Sequence, residues 1–205
     1  MLLCDIGNTS YHFLGEEGDY KKSVKDFNPQ TLTQKVYYIS VNSYINETLE
    51  KLPNWINLLE FVDLTKYYST MGVDRIFAVE ALEHGVIVDA GSAITVDRVE
   101  SGNFQGGFIY PGLRAMQETY AKISPALAYS FNFDVELDIM PKNSQDAVSY
   151  GTLKTLYSEV SSYGLPIVLT GGDAELLSKV FKNAKVDKFL IFSGMKKIMK
   201  KANIC

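Results

Sequence analysis

Cysteine is nearly missing from this 205-residue chain, which has two: Cys4 inside an apolar run at the start and Cys205 at the last position. Such a pair makes no disulfide framework and suits a reducing compartment, so a cytoplasmic location is expected. Histidine is equally scarce. His12 and His84 lie far apart with no partner at metal-ligand spacing, so no zinc-type centre is expected. Positive charge is not in excess either: 20 Lys and Arg face 24 Asp and Glu, for a formal charge of -4. Sequence-independent binding of nucleic acid, which needs clustered cations, is therefore not expected. No apolar run approaches the ~18 residues of a membrane span, and no basic leader precedes Asp5, so neither secretion nor membrane insertion is expected. Lys196, Lys197, Lys200 and Lys201 near the end of the chain read as a solvated face toward a helix terminus. Two nucleotide motifs are also missing. Neither Gly-x-x-x-x-Gly-Lys-Ser/Thr nor a dinucleotide-binding glycine fingerprint occurs.

What remains is an ordinary globular composition, 46% hydrophobic and 21% charged, long enough to bury a real core. Its most informative feature is internal duplication. Met1 to Cys4 is a strand-like run ending in Asp5-Ile6-Gly7-Asn8-Thr9, and Tyr11 to Leu14 reads as a second strand before the turn Glu16 to Asp19. The layout recurs as Val86 to Val88, Asp89-Ala90-Gly91-Ser92-Ala93, a strand from Ile94 to Val99 and a turn at Ser101 to Asn103. In each block a glycine, Gly18 or Gly102, follows the aspartate by thirteen residues, so the two align without a gap. Two copies of one α/β domain are expected, over residues 1–84 and 85–205.

Between the copies, Val36 to Val41 reads as a buried strand, Ile45 to Leu52 as a helix stopped by Pro53, and Asp63 to Met71 as irregular. Arg75 to His84 has helical spacing at Ile76, Val79 and Leu82. Farther on, Gln145 to Val160 and Ala174 to Phe181 read as helices, and Pro166 to Leu169 and Phe189 to Phe192 as strands. Asp97, on an alternating strand, is expected to point outward into solvent.

A strand that delivers Asp-x-Gly-Asn-Thr into a tight turn offers a carboxylate, an open backbone at Gly7 and polar donors at Asn8 and Thr9. Backbone N–H groups in such turns bind anions, and the carboxylate can hold a hydrated Mg²⁺ on phosphate oxygens. One such turn alone would read as an Asx-type hairpin. Its recurrence at Asp89 points to a nucleotide gripped by two turns. A third glycine turn, Thr170-Gly171-Gly172-Asp173, can approach the nucleotide, or can equally be a tight strand-to-helix turn capped by Asp173.

These turns resemble those of the acetate and sugar kinase, heat-shock chaperone and actin superfamily. Gly72-Val73-Asp74-Arg75, Asp89 to Asp97, and Gly106-Gly107-Phe108-Ile109-Tyr110-Pro111-Gly112 follow in the order seen in type III pantothenate kinases. With Asp5 to Thr9 and Thr170 to Gly172, the resemblance covers nearly the whole chain. It implies an α/β fold of two ribonuclease-H-like domains with mixed sheets flanked by helices, and phosphoryl transfer from ATP to pantothenate. It implies ATP contacts at Asp5, Ile6, Gly7, Asn8, Thr9, Ser10, Tyr11, His12, Ser92, Gly171 and Gly172, with Mg²⁺ at Asp5, directly or through water. Asp89 would bind a monovalent cation, K⁺ or NH₄⁺. Pantothenate would meet Gly72, Val73, Asp74, Arg75, Ser144 and either Tyr67 or Tyr68, of which Tyr68 is favoured. Asp74 would be the general base, and a homodimer would complete the pocket through Ser144. Gly106 to Gly112 is assigned no chemistry.

The residues support the same roles by simple chemistry. Asp74 starts a helix, whose dipole keeps a carboxylate ionised, and Arg75 has the forked donors that grip a carboxylate. Another small-molecule kinase of the superfamily and a nucleotide-dependent regulatory protein are the competing readings. The segment from Gly72 to Arg75 speaks against both.

Overall fold

The computed structural model describes residues 1–204; Cys205, counted above, lies outside the described residues. The chain divides into two compact units, Met1–Leu82 with Phe189–Cys205, and Glu83–Lys188.

In the first unit, β1 (Leu2–Ile6), β2 (Ser10–Gly15), β3 (Gly18–Ser23), β4 (Val36–Ser40) and β5 (Trp55–Asn57) form one sheet in the order β3-β2-β1-β4-β5. The β1-β2-β3 meander is antiparallel, whereas β4 and β5 join in parallel. Parallel neighbours need a crossover, and α1 (Ser43–Leu49) supplies it between β4 and β5. Asn42 starts that helix by accepting the Ile45 N–H at 3.3 Å on its side chain. Alternation sends Leu2, Cys4, Ile6, Tyr11, Phe13, Val36, Tyr38 and Trp55 to one face, where Ile45 and Leu49 of α1 close the core. Leu3 and Ile39 are buried as well, so the sheet is covered on both faces. The second cover is α2 (Val73–Ala81) with α6 (Leu190–Lys201), packed against β4 and β1. These helices approach so closely that a Cβ on Gly194 would overlap the Phe77 carbonyl.

The second unit repeats the plan. β6 (Gly85–Ala90), β7 (Ala93–Glu100), β8 (Asn103–Pro111), β9 (Ile167–Thr170) and β10 (Lys185–Val186) lie in the order β8-β7-β6-β9-β10, again an antiparallel meander with two parallel strands. Helices α3 (Leu113–Ile123), α4 (Ser144–Ser162) and α5 (Ala174–Ser178) complete it. The core joins Val86, Val88, Ile94, Val96 and Leu169 of the sheet to Val148, Leu156 and Val160 of α4. The two sheet orders are the same order, as duplication requires.

Four details differ from the sequence expectations. The equal spacing to Gly18 and Gly102 does not mark equivalent positions. Four residues, Gly7 to Ser10, separate the last paired residues of β1 and β2, whereas three, Gly91 to Ala93, separate those of β6 and β7. The hairpin loops are Glu16-Glu17 and Ser101-Gly102, so Gly18 follows its loop and Gly102 lies within one. Second, Phe189 to Phe192 opens helix α6 instead of forming a strand; a short apolar run fits either until its partners are known. Third, that helix packs in the first unit, where a boundary at residue 84 would have left it in the second half. Fourth, Asp97 is 1% exposed, the reverse of the outward position expected for it. Its side of β7 is covered, so strand alternation alone misplaces it.

Candidate active site

In the first unit, Asp5 sits half-buried near the tip of β1, paired with His12 of β2 and Ile39 of β4. The turn beyond it is closed by the Gly7 N–H donating to the Ser10 carbonyl at 3.0 Å, with Asn8 and Thr9 exposed at its apex. A Cβ on Gly7 would meet nothing closer than Ser10 O at 3.8 Å, so the protein itself does not demand glycine there. Glycine leaves the backbone open to a close external approach. Ile6 and Tyr11, expected among the ATP contacts, are buried, Tyr11 with its ring 4.9 Å from that of Phe27. Only their backbone can face a ligand. His12 donates from Nε2 to Asp19 Oδ2 at 2.8 Å and meets the Phe192 ring edge-on at 5.0 Å. That hydrogen bond holds the Asp19 carboxyl below its ordinary value.

The acceptor motif lies in the same unit, at the start of α2. Gly72 is the N-cap residue, the Ile76 N–H donates to the Gly72 carbonyl at 3.1 Å, and Asp74 stands in the first turn. Asp74 Oδ1 accepts the Arg75 N–H at 2.8 Å, which fixes the carboxylate against the helix end. A Cβ on Gly72 would lie 2.5 Å from that oxygen, so glycine makes the space the carboxylate occupies. Arg75 is 4% exposed, and a buried guanidinium is costly unless paired. It donates from Nη1 to the Tyr68 hydroxyl at 2.5 Å, and its Cζ lies 5.8 Å from the centre of the Tyr68 ring. Tyr67 turns the other way and donates its hydroxyl to Glu80 Oε1 at 2.9 Å. Of the two tyrosines, Tyr68 is thus the one against Arg75.

In the second unit, Asp89 is paired with Thr95 of β7 and Thr170 of β9. The Gly91 N–H donates to the Ala93 carbonyl at 3.0 Å, leaving Ser92 exposed at the apex. Two glycines press on this turn from outside. Gly171 has φ +87°, which glycine tolerates, and a Cβ there would overlap the Asp89 carboxylate and sit 2.6 Å from Ala90 O. A Cβ on Gly112 would overlap the Ser92 carbonyl and lie 2.7 Å from Gly91 O. The Asp173 N–H donates to Ala90 O at 2.9 Å, but its side chain makes no cap on α5. The Gly171 turn is therefore built against the Asp89 turn, with Gly172 exposed beside it. Gly112, given no role by its motif, supports the same turn; a glycine just before a helix was the only sequence signal for it. Ser144 is exposed at the first position of α4, after the N-cap Asn143.

Among the described residues no three His, Cys, Asp or Glu side chains cluster as a metal site. A divalent ion here would use one carboxylate plus water and phosphate oxygens, as Mg²⁺ commonly does. Thr95 Oγ1, on the residue paired with Asp89, is buried without a hydrogen-bond partner. A carboxylate beside an unsatisfied hydroxyl oxygen is a donor set that fits a hard monovalent cation.

The sequence profile of type III pantothenate kinase matches residues 39–163. A Sulfurimonas denitrificans protein named type III pantothenate kinase is 60% identical over 205 residues, covering 100% of both chains. A solved Campylobacter jejuni structure, named for the Baf family of transcriptional activators, superposes with a TM-score of 0.90 at 40% identity over 100% of both chains. Component A of (R)-2-hydroxyglutaryl-CoA dehydratase from Acidaminococcus fermentans shares the fold, with a TM-score of 0.51 at 13% identity over 99% and 98% of the two chains.

Proposed function

The chain belongs to the type III pantothenate kinases, with two ribonuclease-H-like halves of the actin-like ATPase fold, and from this premise we propose which residues carry its reaction. The activity is transfer of the ATP γ-phosphoryl group to pantothenate, giving 4'-phosphopantothenate, the first step of coenzyme A synthesis.

The observation that carries the assignment is the Gly72 to Arg75 turn. Asp74 stands in the first turn of α2, where the positive end of the helix dipole favours a carboxylate, and that carboxylate is tied to the Arg75 N–H. It accepts the proton of the pantothenate primary hydroxyl as the oxygen attacks phosphorus. A carboxylate is a weak base, but phosphoryl transfer passes through a loose transition state with late proton loss, so placement matters more than basicity. Arg75, locked against Tyr68, receives the pantothenate carboxylate through its forked donors.

The turn from Asp5 through Ser10 cradles phosphates with its backbone, and Ser92 and the Gly171-Gly172 turn meet the nucleotide. Mg²⁺ neutralises phosphate charge when bound, and Asp5 would hold it through water. Asp89 with Thr95 would hold K⁺ or NH₄⁺. A homodimer would bring Ser144 to the neighbouring acceptor pocket. No helix of the described residues is long and apolar enough to cross a membrane, and a cytoplasmic site of action accords with that.

The test is steady-state ADP release with pantothenate, a panel of sugars, or no acceptor, repeated on Asp74→Asn. Pantothenate-dependent turnover that falls by orders of magnitude in Asp74→Asn, with ATP still bound, is expected. An Asp74→Asn enzyme with undiminished kcat would remove the base.

A further inference from the structure

Behind the acceptor residues lies a layer of contacts that none of these roles uses. Glu80, one helical turn beyond Ile76 on α2, is buried at 9% exposure, and both its carboxylate oxygens are engaged. Oε1 accepts the Tyr67 hydroxyl at 2.9 Å, and Oε2 accepts Lys201 Nζ of α6 at 2.8 Å. Tyr67 is the peptide neighbour of Tyr68, whose hydroxyl accepts from Arg75. Contacts therefore run without a break from Lys201 through Glu80 and Tyr67 to the Tyr68–Arg75 pair.

The two tyrosines lie in an irregular segment, closed locally by the Tyr67 N–H on the Leu64 carbonyl at 3.2 Å and the Met71 N–H on the Tyr68 carbonyl at 3.0 Å. It follows a short 3₁₀ turn at Leu64–Lys66 and has no regular structure before α2. Thr65, Lys66, Tyr68, Ser69 and Thr70 are exposed, and only Tyr67 and Met71 turn inward. A buried carboxylate ordinarily costs much, and burial does push the Glu80 carboxyl up. The Lys201 and Tyr67 hydrogen bonds outweigh that and hold it below its ordinary value. An ionised carboxylate only accepts, so the Tyr67 hydroxyl donates to it, which ties the end of that ring to α2.

We propose that Glu80, with Lys201, is a positioning residue for the acceptor: it fixes Tyr67, and through the Tyr67–Tyr68 peptide sets the Tyr68–Arg75 pair at the pantothenate carboxylate. The proposal rests on the reading of Arg75 as the carboxylate grip. Glu80 touches no substrate. Its effect is on how often the grip is formed, so loss of the network reduces acceptor affinity and leaves the chemical step and ATP affinity in place.

The measurement is KM for pantothenate and for ATP, with kcat and thermal midpoint, on Tyr67→Phe, Glu80→Gln, their double variant and Arg75→Lys. Tyr67→Phe keeps the ring and deletes the hydroxyl. It is expected to raise KM for pantothenate about tenfold, the factor that ~1.4 kcal/mol of lost order gives, with KM for ATP and kcat within about twofold. Glu80→Gln keeps an acceptor for Tyr67 and should rise less. The double variant should match Tyr67→Phe alone, because the effect of Glu80 passes through that hydroxyl. Additive effects in the double variant, or equal rises in both KM values with a lowered thermal midpoint, would mean a merely structural contact and overturn the proposal. If Arg75→Lys raises KM for pantothenate while Tyr67→Phe does not, the positioning role alone fails. If Arg75→Lys leaves KM unchanged, the carboxylate grip itself is wrong.

Discussion

Replacing Gly72 by Ala tests the acceptor geometry with the smallest possible change. The backbone there has φ -60° and ψ 140°, which alanine adopts without strain, so the added methyl acts only through space. That methyl would lie 2.5 Å from Asp74 Oδ1, and the carboxylate must retreat by about 1 Å to reach ordinary contact. Its present position is set by the 2.8 Å bond from the Arg75 N–H, which the retreat breaks. A displacement of this size at a reacting group costs roughly 10²-fold, or about 2.7 kcal/mol of transition-state stabilisation. Folding should be nearly untouched. Alanine is a poorer N-cap than glycine by roughly 0.5–1 kcal/mol, and the loss of chain entropy in the unfolded state offsets that by roughly 0.4–1 kcal/mol. Coupled ADP-release kinetics with calorimetry would therefore find kcat down about a hundredfold and stability within about 1 kcal/mol. A fully active Gly72→Ala enzyme would refute the placement of Asp74 as base.

Other outcomes follow from the same contacts. Gly194→Ala forces a methyl into the Phe77 carbonyl between α2 and α6 and should destabilise by about 1–3 kcal/mol, read as a lower thermal midpoint; an unchanged midpoint would mean the two helices separate freely. Gly171→Ala, at φ +87° and against Asp89, should weaken ATP binding and monovalent-cation activation together while pantothenate KM holds; a selective loss of pantothenate affinity would count against the nucleotide role of that turn. The Glu80 carboxyl is held below its ordinary value near 4.5, so its contribution to stability is complete above that pH and is lost as pH falls through the lower folded value. The thermal midpoint should decline below about pH 4.5, and Glu80→Gln should flatten that decline; an identical slope in the variant would show that other carboxylates set it.

The duplication was legible because each copy sets strand, Asp-x-Gly turn and strand within a short stretch of chain, where local pattern is strongest. What could not be read was anything set by partners far along the chain. Phe189 to Phe192 reads as a strand until α2 is seen to need a neighbour. Asp97 reads as exposed until its side of β7 is seen to be covered. Arg75 and Glu80 are both buried, one against Tyr68 and the other between Tyr67 and Lys201, and neither partner is visible in the spacing of α2 itself. The choice between Tyr67 and Tyr68 is of the same kind, since only opposite turns of two adjacent side chains separate them.

The return of α6 to the first unit has a consequence for the order of assembly. Residues 83–188 form a contiguous unit that can become compact as it leaves the ribosome, whereas the first unit lacks its covering helix until residues 189–204 have been made. Until then the faces of α2 and β1 that α6 covers stand open to solvent, and the contacts that close them span more than a hundred residues. Folding should therefore proceed from the middle of the chain outward, with closure of the acceptor half as its late and slow step.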